Sequence, residues 1–200
     1  MFGIRSSLRQ FTTAARALLV ATVALGIAYP LFITGVSRLA LPAPANGSLV
    51  TAADAPVGSA LIGQSYIDAD GNALPGYFQG RPSAVDYDAA TSGGSNLGPE
   101  NPDLAADVSA RIAAIAASDG VSPDQVPADA VTASASGLDP DISPEYAREQ
   151  VARVASARGI DPQAVRQLVE QKTEGRMLGF LGEPTVNVLE LNLALDRMGG

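Results

Sequence analysis

The 200 residues carry 13 basic and 21 acidic side chains, a formal charge of −8, and neither histidine nor cysteine. That composition excludes disulfides, thiolate nucleophiles, imidazole bases and the commonest transition-metal ligands. Every acidic residue lies at or after Asp54, so taking Arg5, Arg9 and Arg16 out of the total leaves −11 on the remainder. Such a surface repels nucleic acid and anionic headgroups and concentrates cations.

The first element is an uncharged run, Ala17 to Ser37, whose 21 residues reach across a bilayer core as a helix at about 1.5 Å per residue. Arg5, Arg9 and Arg16 precede it and Arg38 follows. The positive-inside bias therefore puts residues 1–16 in the cytoplasm, 17–37 across the cell membrane and the remainder outside. A cleaved leader is the rival reading, because Ala43-Pro44-Ala45 fits a small-x-small cleavage site. The apolar run, however, exceeds the roughly 7–15 residues of a leader, which favours a retained anchor. Pro30 removes a backbone hydrogen bond within the run and predicts a kink near Ala28 and Tyr29. Ala21, Gly26 and Gly35 form no close small-residue seam for a self-dimer.

Residues 38–56, rich in Pro, Ala, Gly and Asn, read as an exit linker with a turn at Asn46-Gly47, and 57–200 as the folded domain. Ser59 to Ile67 is short, apolar and bounded by turn residues, which predicts a strand. Asp68 to Asn72 opens like a calcium loop but has no glycine at the sixth position and Gln79 where the closing glutamate belongs, so it reads as an exposed turn. Tyr77 to Asn101 is loop-rich. Gly93 and Gly94 open conformations closed to other residues, and Ser92, Ser95 and Asn96 can bond their own backbone, so this segment reads as a structural turn. No lysine follows the glycines, which excludes a Walker A loop.

Helices fill the rest. Asn101-Pro102-Asp103, Ser143-Pro144-Glu145 and Asp161-Pro162 each place a cap, then a proline in the first turn. Apolar faces follow: Leu104, Val108, Ile112 and Ile115 up to Gly120; Val151 and Val154; Val165, Leu168 and Val169. Asn187 with Glu190 starts a last helix bearing Leu189, Leu193 and Met198. The expected fold is a mixed α/β, helix-rich extracytoplasmic domain on a single N-terminal transmembrane helix.

Several blocks recur in a fixed order: Leu-Ile-Gly-Gln at 61–64, Tyr-Phe-Gln-Gly-Arg-Pro-Ser-Ala at 77–84, Ser-Gly-Gly-Ser-Asn-Leu-Gly-Pro at 92–99, Val-Thr-Ala-Ser-Ala-Ser-Gly-Leu-Asp-Pro at 131–140, Glu-Gly-Arg at 174–176 and Leu-Gly-Glu-Pro-Thr-Val-Asn-Val-Leu-Glu-Leu-Asn at 181–192. Behind a single membrane segment ending Tyr-Pro-Leu-Phe-Ile-Thr-Gly, this order resembles the C subunit of the Kdp potassium-transporting ATPase. The chain departs from that pattern at Asp141, where the family commonly has His, at Gln79, where it often has Trp, and in a longer turn over 70–75. A role carried by the family's histidine does not transfer. Asp139-x-Asp141-x-Ser143 also mimics the start of an EF-hand, with Pro144 and Gln150 at the positions needing Gly and Glu.

The resemblance implies a non-catalytic accessory subunit of a potassium uptake pump, beside a channel-like pore subunit, a P-type ATPase subunit and a small single-span subunit. The family is described as a catalytic chaperone that raises the ATPase subunit's affinity for ATP. ATP is then the implied cofactor of the complex, reached through the ATPase subunit. Ser92, Gly93, Gly94, Ser95 and Asn96 faintly resemble the ABC-transporter signature loop, without its closing glutamine, and are the nucleotide candidates. A domain outside the membrane cannot touch cytoplasmic ATP, which conflicts with direct binding. Pro30, Gln64, Tyr77, Phe78, Arg81, Asn96, Asp139 and Asn187 are the candidate partner contacts. No catalytic or metal-binding residue is assigned. The acidic domain also suits a site over the pore entrance, where it would concentrate potassium. Two other classes stay open. One is an anchored scaffold without a transport partner. The other is a serine hydrolase using Ser92 or Ser95, for which the single lysine, Lys172, lies between Glu170 and Glu174 and makes a poor base.

Overall fold

The computed structural model describes residues 3–199; Met1, Phe2 and Gly200, included in segments 1–16 and 57–200, lie outside the described residues. The chain divides into two units, 1–48 and 49–200.

The first unit is helical. Helix α1 (Gly3–Val23) passes through one π-helical turn (Ala24–Ala28) into α2 (Tyr29–Ala40), and a single turn, α3 (Pro42–Ala45), follows. Leu8–Ala40 is long and apolar enough to cross a membrane, and none of it is buried in protein. The defect expected at Ala28 and Tyr29 is this π turn, just before Pro30. The Tyr29 N–H reaches back to the Ala24 carbonyl, so the chain widens by one residue where Pro30 has no N–H to give.

The second unit opens with an antiparallel hairpin, β1 (Leu49–Ala52) and β2 (Ala55–Ser59), which lies largely within the stretch read as linker. Its two-residue turn places Ala53 (φ 47°) and Asp54 (φ 62°) in the left-handed region that matches strand twist, a turn usually announced by Asn-Gly. The strand expected over Ser59–Ile67 is not formed beyond Ser59. Its backbone groups go elsewhere: the Gly63 N–H donates to the Leu138 carbonyl, and Ile67 makes an isolated bridge with Ala73. Asp68 forms the exposed turn, its Oδ1 accepting from the N–H groups of Asp70 and Asn72, both at 2.9 Å.

The core lies among α4 (Pro102–Asp119), the short α5 (Ala128–Val131), α6 (Pro144–Glu149), α7 (Val151–Arg158), α8 (Pro162–Lys172) and α9 (Val188–Asp196). A small antiparallel sheet joins them, with β5 (Thr185–Asn187) between β3 (Asp141–Ile142) and β4 (Thr173–Glu174). All four capped starts form as expected. Asn101, Ser143, Asp161 and Asn187 accept from the N–H groups of Asp103, Tyr146, Gln163 and Glu190. Gly120 (φ 70°) and Gly159 (φ 66°) end α4 and α7 in the left-handed conformation.

Val151, Val154, Val165 and Val169 are fully buried with Ile142, Val186, Leu191 and Leu195. On α9 the inward face is Val188, Leu191, Asn192 and Leu195, whereas Leu193 is half-buried; Met198, expected on this helix, lies beyond its end and is exposed. Leu189 is buried on a different side, against β2, where a Cβ on Gly58 would come within 2.9 Å of its Cδ2.

Candidate functional site

The blocks at 61–64, 77–84, 92–94 and 131–140, scattered along the chain, meet in space. Two buried amides fix the centre. The Phe78 N–H donates to Asn192 Oδ1 (2.9 Å) and the Phe78 carbonyl accepts from Asn192 Nδ2 (3.0 Å). One residue on, the Gln79 N–H donates to Gln150 Oε1 (2.7 Å) and its carbonyl accepts from Gln150 Nε2 (3.1 Å). Two side chains thus stand in for a neighbouring strand, answering both polar groups of each residue. Gln79 Nε2 in turn donates toward the carbonyls of Tyr66 (3.1 Å) and Leu74 (3.2 Å), closing the long 70–75 turn onto the core.

Arg81 carries the next link. Its Nη1 meets Asp139 Oδ2 at 2.9 Å and its Nη2 donates to the Thr132 carbonyl at 3.2 Å, while Asp139 Oδ1 accepts the Asp141 N–H. The Tyr87 hydroxyl donates to the Arg81 carbonyl at 2.6 Å. Burial, seconded by the Asp139 charge, pushes the Tyr87 phenol up to about 12. Ser83 Oγ donates to the Gly137 carbonyl at 2.7 Å and accepts from the N–H groups of Val85 and Tyr87.

Two glycines make the meeting possible. At Gly63 a Cβ would fall 2.4 Å from Tyr87 Cε1 and 2.6 Å from the Asp139 backbone carbonyl oxygen. At Gly137, with φ +69°, it would fall 2.5 Å from Val85 Cγ2. The 92–94 loop lies on the same surface: the Gly93 N–H and Ser92 Oγ both donate to the Ser136 carbonyl, at 2.9 and 3.1 Å. Ser92 is therefore spent on backbone, and no base faces it in these bonds. Ser95 and Asn96 (φ 53°) are exposed, with Asn96 Nδ2 donating to the Gly94 carbonyl.

Of the candidate contacts, Arg81 and Asp139 pair with each other, while Gln64 ties to the Val57 carbonyl at 2.7 Å. Tyr77 stacks on Tyr66 (5.2 Å) beneath the Arg158 guanidinium (4.4 Å). Phe78 is fully buried, so its side chain anchors the loop and offers no surface to a partner. Asn187 caps α9 and donates to the Ala60 carbonyl (2.8 Å) and to Asp141 Oδ1 (3.3 Å). Asp141 thus sits on β3 opposite Asn187; its carboxyl is raised, by burial first and then by the Asp139 charge. Pro30 belongs to the helical unit and is exposed.

A second cluster centres on residues outside the motif blocks. A cleft of about 590 Å³, lined by Pro75, Gln79, Ile115, Asp119, Tyr146 and Arg153, has a buried ion pair in its wall: Arg153 Nε to Asp119 Oδ1, 2.7 Å. Arg153 also donates to the carbonyls of Pro75 and Tyr77 and to Gln150, joining α4, α7 and the 75–79 loop. Beside it both Glu149 oxygens are buried and find no donor among the described residues. Burial, then the neighbouring Asp119 charge, pushes the Glu149 carboxyl up to about 8, with Arg153 pulling the other way. Glu149 closes α6 and Arg153 lies in the first turn of α7, and neither is singled out by a sequence motif.

The family model of the K+-transporting ATPase c chain, KdpC, matches residues 11–197. A protein named potassium-transporting ATPase KdpC subunit from Kineococcus radiotolerans is 57% identical over 197 residues, covering 96% of each chain. One of the same name from Polaromonas naphthalenivorans is 54% identical over 182 residues, covering 90% of each. One from Herpetosiphon aurantiacus is 50% identical over 191 residues, covering 94% of this chain and 96% of its own. With near-complete coverage at this identity, the chain belongs to the KdpC family, the c subunit of the K+-transporting ATPase.

Proposed function

We propose that within the potassium-transporting complex this chain is a non-catalytic accessory subunit. Its N-terminus lies in the cytoplasm, residues 17–37 cross the membrane and the 57–200 domain stands outside. The observation that carries this reading is the use made of the polar residues at and around the motif blocks: Arg81, Ser83, Tyr87, Asp139, Gln150 and Asn192 all bind backbone or one another, which suits a structural role. A rigid acidic domain suits assembly and cation concentration at a pore entrance. The partners in this reading are the pore-forming subunit, the P-type ATPase subunit and the small single-span subunit. The effect on ATP affinity is exerted through the membrane, on the ATPase subunit's conformational equilibrium, with no nucleotide on residues 92–96.

Detergent extraction of the tagged full-length chain from its native membrane, followed by a potassium-stimulated ATPase assay, tests assembly. Recovery of pore and ATPase subunits, with activity lost or the KM for ATP raised when this chain is omitted, is the expected result. Recovery of the chain alone would refute it. Orientation is read separately: the chain has no cysteine, so Ser95→Cys should react with an impermeant maleimide added outside intact cells. Labelling only after permeabilisation would reverse the topology.

A further inference from the structure

The β4–β5 connection, residues 175–184, carries the most exposed apolar cluster of the second unit. Met177, Leu178, Phe180 and Leu181 are 71%, 78%, 68% and 46% exposed. They are consecutive but for Gly179, and their setting is ordered. Met177 and Leu181 exchange two backbone hydrogen bonds, both 2.9 Å, and the Gly179 N–H donates to the Arg176 carbonyl. Leu178 (φ 54°) and Gly179 (φ 83°) hold left-handed conformations at the tip. At the base Arg176 and Glu183 close an ion pair of 2.5 Å. A hydrogen-bonded finger that holds a leucine at positive φ and shows four large apolar side chains to solvent is a surface prepared for burial.

We infer that this finger inserts into an apolar groove on another protein subunit of the pump. The proposal rests on the accessory-subunit reading. Charge decides between protein and lipid as the occupant. The domain is strongly acidic, its single lysine lies outside the finger, and the finger's arginine is already paired with Glu183, so an anionic bilayer surface would repel it. The finger, residues 175–184, contains neither tryptophan nor tyrosine, the residues that favour the headgroup layer. Methionine and phenylalanine, by contrast, are enriched at the buried centres of protein interfaces. Preformed turns reduce the ordering cost of docking.

The test uses the full-length chain expressed with its complex. A photoreactive benzoyl-phenylalanine replaces Phe180 in one sample and Ala106, on the exposed side of α4, in another. Irradiation in native membranes should join position 180 to a pump subunit, at least about tenfold above position 106. In parallel, Phe180→Glu should lower recovery of the other subunits roughly tenfold, with Phe180→Leu close to wild type. Equal thermal melting of both variants shows that the domain is intact. Lipid adducts, adducts only between two copies of this chain, or no adduct would each overturn the proposal while wild-type co-purification leaves the accessory reading standing. Failure of the wild-type chain to co-purify would remove both.

Discussion

Asn192 is the most informative single perturbation. It lies on α9, 114 residues from Phe78, and satisfies both backbone polar groups of a residue with no solvent access. Asn192→Leu keeps the branching at Cγ, puts two methyl groups where the amide O and NH2 were, and deletes both bonds. Each orphaned buried group costs about 1–3 kcal/mol, so the two together cost ~2–6 kcal/mol; added apolar burial returns about 1 kcal/mol, for a net loss of ~1–5 kcal/mol. Asn192→Asp keeps the acceptor for the Phe78 N–H. It loses the donor to the Phe78 carbonyl and, when ionised, buries a charge. This variant should therefore be the less stable at neutral pH and recover as acid restores a proton that can donate. Urea unfolding of the full-length chain in detergent, followed by circular dichroism across pH, reads both effects. A loss under about 1 kcal/mol for Asn192→Leu, or an acid response in Asn192→Asp that matches wild type, would refute the strand-mimic account.

Glu149 gives a pH prediction. Its folded carboxyl titrates near 8 against an ordinary 4.5, so the stability it contributes is complete below the ordinary value and is lost as pH rises through about 8. Discounted for screening by nearby solvent, wild type should lose ~1–2 kcal/mol from this group between pH 6 and 9, and Glu149→Gln should flatten that decline; parallel pH curves would disprove it. Arg153→Met strips the cation from a buried pair and frees two carbonyls, for an expected loss of ~3–5 kcal/mol. Much of that loss should be recovered when Asp119→Asn is added, as a double-mutant cycle will show. Gly137→Ala combines a positive φ with a 2.5 Å contact and should lower the melting point, whereas Gly98→Ala, where a Cβ meets nothing within 4 Å, should leave it nearly unchanged.

The parts of this chain legible from sequence are those whose physics is local. An uncharged run long enough for a bilayer, a proline that must disturb it, and a cap followed by proline all act within four residues, so the helix starts at Pro102, Pro144, Pro162 and Val188 were readable. The family was readable too, because the order of its motif blocks lies along the chain. The turn over Ala53-Asp54 escaped because its strained conformation is imposed by strand pairing and not by Asn or Gly. Ser59–Ile67 was misread as a strand because an apolar pattern does not say where backbone groups will find partners, and those of Gly63 found Leu138.

Phe78, a candidate partner contact by sequence, is made a core anchor by packing. The same holds for the motif polar groups: Arg81 meets Asp139 58 residues away, and Gln150 meets Gln79 at 71. Pairings over such separations depend on which loops the helices and the small sheet bring together. Sequence alone determined a helix long and apolar enough to cross a membrane, the later helix starts and the family. Tertiary structure decided that the motifs form one surface, because burial leaves each backbone group only the partner the fold places beside it.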